Sequence, residues 1–278
     1  MAIPFSFLDG TAGMTIDLPP ASSRILDIGR SNVYDCEPGA LSRWLKARAV
    51  SLDQSWIDDF AEQSCFDVAG NRINGAFLGD LCARIGIGYT ALDIMDAPGV
   101  LLFDLNRQQL PDHLHETFDL VINCGTTEHV LNQFNAFNVI HDAVRPYGEI
   151  FHFLPVCGWA DHGYVTYNER LFFDLAGYND YDILQIDHFS QGKTSKLLDS
   201  ARNYAGTFPI LRSIVQGADR ELPDIVLFIR YGKRRSARFC AALDTATSIA
   251  PLPRTVLDFY DRSVSQVARA VGNSAASH

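Results

Sequence analysis

Apolar residues along the chain gather in short runs of strand length, several of which close on Asp, Asn or Gly before an amphipathic stretch begins. The runs fall at 24–29, 89–94, 100–104, 118–123 and 149–155, followed by two more, rich in β-branched or aromatic residues, at 181–188 and 224–231. Between the fourth and fifth runs, Val130, Phe134, Phe137, Ile140, Ala143 and Val144 recur at helical spacing and predict a helix over 127–144. Pro146 is expected to stop that helix and Gly148 to turn the chain into the next strand. A strand, a helix and a strand in this order make a right-handed crossover within one parallel sheet. The seven runs together predict an α/β protein: a doubly wound, mostly parallel seven-stranded sheet with helices on both faces.

From Cys36 to Gly88 the chain is longer than one crossover helix requires. Helical patterns at 39–49, 54–64 and 76–84 fill the interval, which reads as a helical insertion, a pair of helices covering the ligand cleft, inside a main domain of residues 1–235. Beyond it, Pro251 and Pro253 precede a stripe of Val256, Leu257, Tyr260, Val264, Val267 and Ala268. Residues 236–278 therefore read as a C-terminal helical extension that packs on the body or on a second subunit, a route to a homo-oligomer.

With 278 residues, 47% of them hydrophobic, the chain can bury a substantial core. A formal net charge of −10 argues against nucleic acid as a partner, since phosphate affinity comes from clustered Lys and Arg. The one basic run, Lys233-Arg234-Arg235, reads as the solvated end of a strand. Six cysteines without a CxxC pair suggest neither a zinc knuckle nor a disulfide framework, and a reduced, cytoplasmic setting is expected. No apolar run reaches the ~20 residues of a membrane span, so no membrane partner is expected.

In an open α/β sheet the ligand sits outside the carboxyl ends of the strands, so the residues just after each run carry the chemistry. Asp27 and Gly29 close the first run: the glycine lets backbone approach a ligand, and the acid is suited to ordering the turn or a bound ammonium group. The full glycine-rich fingerprint is absent, because Arg30, Ser31 and Asn32 stand where further glycines would fall. Asp93 ends the second run, where an acid can accept both hydroxyls of a ribose. Asp104 closes the third, suited to an exocyclic adenine amine, with Leu105 placed to pack on the ring. Each acid alone has an ordinary alternative as a loop cap.

The stretch from Phe118 and Asp119 through Asn123, Cys124, Gly125, Thr126, Thr127, Glu128, His129 and Val130, then a helix, Arg145-Pro146-Tyr147-Gly148 and a strand ending at Pro155, resembles class I S-adenosylmethionine-dependent methyltransferases. The likeness is to their unit from fourth to fifth strand, and agreement in order and spacing spans roughly 25–155. It implies the Rossmann-like methyltransferase fold and S-adenosylmethionine as cofactor, with S-adenosylhomocysteine as product. Carried over by position, Asp27 and Gly29 match the cofactor loop, Asp93 the ribose acid and Asp104 the adenine-side acid. Asn123, Cys124 and Gly125 match the segment beneath the methionine moiety, and Ser31 and Asn32 replace the lost glycines.

Methyl transfer from a sulfonium is an in-line displacement, so the protein mainly holds the acceptor and removes its proton. His129, beside Glu128 at the start of the predicted helix, and His162, after the fifth strand, are the candidate bases, on loops expected to face one cleft. A structural role for each stays open, and His152, inside a strand, reads as a core residue. A divalent metal gathered by Glu128, His129 and His162 is the minor alternative, because neighbours on a helix point apart. Trp159, Tyr164 and Tyr167 are suited to line an acceptor pocket or to pack beneath the loop. The leading reading is an O- or N-methyltransferase of a small-molecule acceptor. Its rivals are a catalytically inactive scaffold with the same fold and an NAD-dependent oxidoreductase, which would want the missing GxGxxG.

Overall fold

The computed structural model describes residues 2–66, 69–71, 73–159, 162–196 and 221–243. In chain order they form β1 (Ala2–Pro4), α1 (Phe5–Leu8), β2 (Arg24–Ile28), β3 (Asn32–Tyr34), α2 (Pro38–Ala47), α3 (Gln54–Gln63), α4 (Leu78–Arg84), β4 (Gly88–Asp93), β5 (Val100–Leu102), β6 (Phe118–Cys124), α5 (Gln133–Ala143), β7 (Val144–Cys157), α6 (Glu169–Asn179), β8 (Tyr181–Lys196) and β9 (Glu221–Lys233). Short 3-10 turns lie at Asp112–Leu114 and Thr127–His129. The main sheet has seven strands in the order β5-β4-β2-β6-β7-β9-β8. Strands β5, β4, β2, β6 and β7 pair in parallel, while β9 runs antiparallel to both β7 and β8.

Alternation along the central strands builds a core on each face. Ile25, Leu120, Ile122, Phe151 and Phe228 point to one side, where they meet α2, α3, α4 and the N-terminal segment. Leu26, Ile28, Val121, Ile150, Leu227 and Ile229 point to the other, packed against α5, α6 and the stretch around Leu110. Burial on both faces is why these strands read as continuous apolar runs rather than alternating ones. The interval 36–88 holds three helices rather than a pair, and its buried Trp44, Leu45, Phe60 and Leu81 join the first core, covering a sheet face.

Three expectations need correction. The helix over 127–144 is shorter: Asn106 Oδ1 accepts the backbone N–H groups of Leu131 and Asn132, both at 3.0 Å, and α5 starts only at Gln133. That competition leaves 127–129 as a separate 3-10 turn. At the other end Pro146 and Gly148 do not separate helix from strand. Val144 already pairs with Phe118, pairing resumes at Glu149 with Leu120, and the residues between form an irregularity with Tyr147 at φ 62°.

The basic run is not simply solvated. Lys233 is 1% exposed and donates to Glu116 Oε1 at 3.1 Å and to the carbonyls of His141 and Val144, both at 2.9 Å. Arg234 and Arg235 pair with Asp182 and Asp180. Unpredicted elements are β1 and β3, a small parallel pair of three-residue strands, together with α1 and α6. The stripe expected at 255–271 lies outside the described residues.

Candidate functional site

From β2 the chain moves outward to β4 and β5, then crosses back to β6, so the switch in direction lies between β2 and β6. The loops leaving the carboxyl ends of these strands carry most of the sequence-predicted residues. Gly29 turns the chain at φ 86°, its N–H donating to Leu92 O at 2.7 Å. Across the switch point Gly125 turns at φ 70° and donates to Phe153 O at 3.0 Å, and the Thr126 hydroxyl donates to Ile28 O, tying the two loops together.

Asp27 is fully buried beneath the first loop. Its Oδ2 accepts the Ser31 N–H at 2.8 Å and the Tyr89 hydroxyl at 2.7 Å, and its Oδ1 accepts the Ser31 hydroxyl at 2.9 Å. Burial pushes its carboxyl up to about 7 against the pull of these hydrogen bonds. Of the two roles open to it, this geometry is that of the turn-ordering one. Ser31 is engaged with Asp27, and Asn32 donates its side-chain amide to Asn74 O at 2.9 Å, so both side chains face inward. Neither Tyr89 nor the Arg30 guanidinium, stacked 3.3 Å from the Phe77 ring centroid, carries a local sequence signal for its place here.

Asp93 and Asp104 stand at the rim, both partly exposed. Asp93 accepts the Arg30 N–H at 2.9 Å on one oxygen and the Met95 N–H at 3.0 Å on the other, which leaves each oxygen a further lone pair. Asp104 accepts the Asn106 N–H at 2.8 Å and lies 3.4 Å from Arg107 Nε. Leu105 is 5% exposed and packs in the core, whereas Ile94 at 73%, Met95 at 70% and Leu131 at 78% offer apolar surface on the neighbouring loops.

Around β6 and β7 the geometry differs. Asn123 is fully buried, donating to Thr127 Oγ1 at 2.9 Å and to His152 Nδ1 at 3.0 Å. Burial holds His152 down to about 3, so it is a neutral core acceptor, as its strand position suggested. Cys124 is buried as well. The Tyr167 hydroxyl donates to Gln133 Oε1 at 2.7 Å and is hydrogen-bonded to the Thr127 hydroxyl at 2.9 Å, which serves as donor there; Tyr167 is 3% exposed, while Tyr164 is largely exposed.

Glu128 and His129 share the 3-10 turn after β6. The Glu128 carbonyl accepts the N–H groups of Tyr164 at 2.7 Å and Val165 at 3.1 Å, which clamps the loop after β7 onto that turn. His162 is thereby held with Nε2 3.5 Å from Glu128 Oε1, and its ring lies 4.9 Å from that of His129 and 5.0 Å from that of Trp159. Partial burial keeps His129 below the ordinary imidazole value, although the Glu128 carboxylate pulls the other way. The structure thus brings together the three residues named as catalytic candidates. Nearby, an open cleft of about 480 Å³ between Cys157, Thr166, Glu169, His188 and Ile225 lies at the carboxyl end of β7.

Parallel strands flanking a central switch point, with a reversed β9 set between β7 and β8, are the deciding arrangement. This is a doubly wound, Rossmann-like α/β fold. No protein-family model matches the chain, and no curated protein matches it. Among solved structures it is similar to a Bacillus halodurans C-125 protein provisionally assigned as a methyltransferase, at 8% identity and TM-score 0.44, covering 78% of this chain and 95% of that one. An S-adenosylmethionine-dependent methyltransferase from Mesorhizobium loti matches at 16% identity and TM-score 0.33, over 77% and 93% of the two chains. The [4+2]-cyclase SpnF matches at 12% identity and TM-score 0.37, over 78% and 76%. Likenesses this distant carry no weight for activity, which has to be argued from the site.

Proposed function

We propose that this chain is an S-adenosylmethionine-dependent methyltransferase acting on an oxygen or nitrogen of a small-molecule acceptor. The observation that carries the reading is the pair of rim acids, Asp93 and Asp104, at the ends of adjacent strands beside the Gly29 turn. The residues fit the cofactor in part. Asp93 retains acceptor capacity on both oxygens for two vicinal hydroxyls, and Asp104 retains it for an exocyclic amine. Exposed Ile94 and Leu131 supply apolar surface for a planar base, a role first given to Leu105.

Asp27, Ser31 and Asn123 are buried and engaged with protein partners, and Asn32 is nearly so. They shape the loops, and backbone at Gly29 and Gly125 is what remains to approach the amino-acid end. When bound, the cofactor supplies an electrophilic methyl carbon on a sulfonium. Glu128, His129 and His162 then orient the acceptor and take its proton, and the cleft beside Cys157 and His188 gives the acceptor room. None of the six cysteines is in a disulfide, which fits a reducing cytoplasm, and no described helix is long and apolar enough to cross a membrane.

Calorimetry tests the reading. Micromolar binding of S-adenosylmethionine and S-adenosylhomocysteine is expected, and Asp93→Ala should weaken it by about 1–3 kcal/mol, as for lost hydrogen bonds to a charged group. Unchanged affinity in that variant would remove the ribose assignment. One observation favours a second reading: the inward-facing side chains of the first loop suit a relative that has given up cofactor binding and serves as a scaffold. Absence of any binding heat would select it.

A further inference from the structure

We infer that Glu128, His129 and His162 form a binding site for one divalent first-row transition-metal cation, such as Mn²⁺, Fe²⁺, Co²⁺ or Zn²⁺. Contiguous Glu and His project about 120° apart on the 3-10 turn, so their convergence rests on side-chain reach and on the third group, which arrives from the loop after β7. One ligand atom from each of the three residues lies within 4.8 Å of the other two. Bonds of about 2.0–2.1 Å to one ion place neighbouring ligand atoms roughly 2.8–3.4 Å apart, from octahedral to tetrahedral geometry. The 3.5 Å separation of Glu128 Oε1 and His162 Nε2 is already close to that. His129, at the surface of the turn, has the freedom to close the remaining distance.

A Glu–His ion pair alone leaves one fact without explanation. Glu128 is 1% exposed, and its second oxygen, Oε2, is buried with no hydrogen-bond partner among the described residues. Buried carboxylate oxygens are normally bonded, and an unpartnered one beside two imidazoles has acceptor capacity that a cation can engage. The arrangement is also built rather than incidental. Gly163 sits at φ 76°, and a Cβ there would meet Glu128 O at 2.9 Å and Glu128 Cγ at 3.0 Å, so only glycine allows the loop to close this tightly. Two imidazoles and one carboxylate occupy three positions of a metal and leave the others open to a ligand; while they hold an ion their coordinating atoms are not free to act as bases, so the metal-bound form and the proton-accepting form are alternative states of one cluster. That donor set favours borderline transition metals over Ca²⁺ or Mg²⁺, which prefer all-oxygen shells.

The site is tested without S-adenosylmethionine, so its fate and that of the methyl-transfer reading are separate. Tag-free full-length protein, stripped with chelator, is titrated with Co²⁺, followed by visible absorption and by equilibrium dialysis with metal quantification. One saturable equivalent per chain is expected, with a ligand-field spectrum. Glu128→Gln and His162→Asn should each lower its affinity at least about 100-fold, at or beyond the range for losing groups that only support a ligand. The His162 side chain is 42% exposed and lies on a loop, so its variant should keep the wild-type circular dichroism and melting curve even if Glu128→Gln does not fold. Absence of a saturable equivalent in the wild type, or one that a folded His162→Asn protein retains, overturns the inference.

Discussion

The two halves of the carboxyl rim differ in how completely their polar groups are satisfied. On the side of β2, β4 and β5, every acid singled out by the sequence already has protein partners: Asp27 has three hydrogen bonds, Asp93 accepts two backbone N–H groups, and Asp104 holds Asn106 and Arg107. On the side of β6 and β7, two buried polar atoms lack a hydrogen bond among the described residues, Glu128 Oε2 and Trp159 Nε1. Trp159 and Glu128 both adjoin His162. Acids at strand ends first serve the loop that presents them and offer a ligand what capacity is left. Unsatisfied buried groups point to a ligand more directly, because folding alone leaves them at a cost.

The sharpest way to break this contrast is at Asp27. Asp27→Ala strands the Ser31 N–H, the Ser31 hydroxyl and the Tyr89 hydroxyl in a fully buried place and should cost about 3–5 kcal/mol in urea unfolding. Asp27→Asn, which keeps an acceptor, should cost far less. The pH dependence has a definite sign. A folded-state value raised to about 7 from 3.8 means the native state binds the extra proton, so this contribution is full below about pH 4 and is lost as pH rises through 7. His152, lowered to about 3, acts oppositely and withdraws stability as pH falls below its ordinary 6.5. Subtracting the Asp27→Asn profile from the wild type should therefore leave a decline between pH 4 and 7. A flat difference would show that Asp27 is not the group titrating there.

Next in size is Gly163→Ala. A positive φ and a clash with the Glu128 backbone should cost about 1–3 kcal/mol by thermal unfolding and pull His162 away from Glu128. A variant that melts as the wild type and leaves the His162 imidazole resonances unmoved in NMR would mean that the clamp is not tight.

The contrast also explains what could be read beforehand. All seven runs became strands of the main sheet: in the central strands burial on both faces demands continuous apolar residues, whereas the edge strands β5 and β8 keep theirs partly exposed. Strands β1 and β3, at three residues each, are too short to stand out from loop composition. Lys233 misled because its neutralising partners, Glu116 and the carbonyls ending α5, are distant in sequence. Asp27 is buried by Tyr89 and by helix α4, neither of which any local pattern around Asp27 announces. At the rim, Asp93 and Asp104 were legible from position alone. The Glu128 cluster was legible in composition but not in geometry, since the hydrogen bonds that bring the His162 loop onto the Glu128 carbonyl join residues more than thirty positions apart.

The smallest expected effect falls on the residue that links the two halves. Asn106 follows the Asp104 acid of one half and holds the Leu131 and Asn132 N–H groups of the other, and so separates the 3-10 turn from α5. Those N–H groups lie at the surface, so in Asn106→Ala water replaces most of what is lost and the cost should be about 0.5–1.5 kcal/mol. The structural consequence should exceed the energetic one: with the competing acceptor gone, Leu131 and Asn132 are free to join α5 and extend it toward Glu128. Amide exchange should then slow at 131–132, while Co²⁺ affinity falls as the lengthened helix shifts the turn relative to the loop that carries His162. Faster exchange at those amides with unchanged metal affinity would instead mean that the turn holds its shape without Asn106, and that the Glu128 carbonyl's grip on Tyr164 and Val165 sets the cluster by itself.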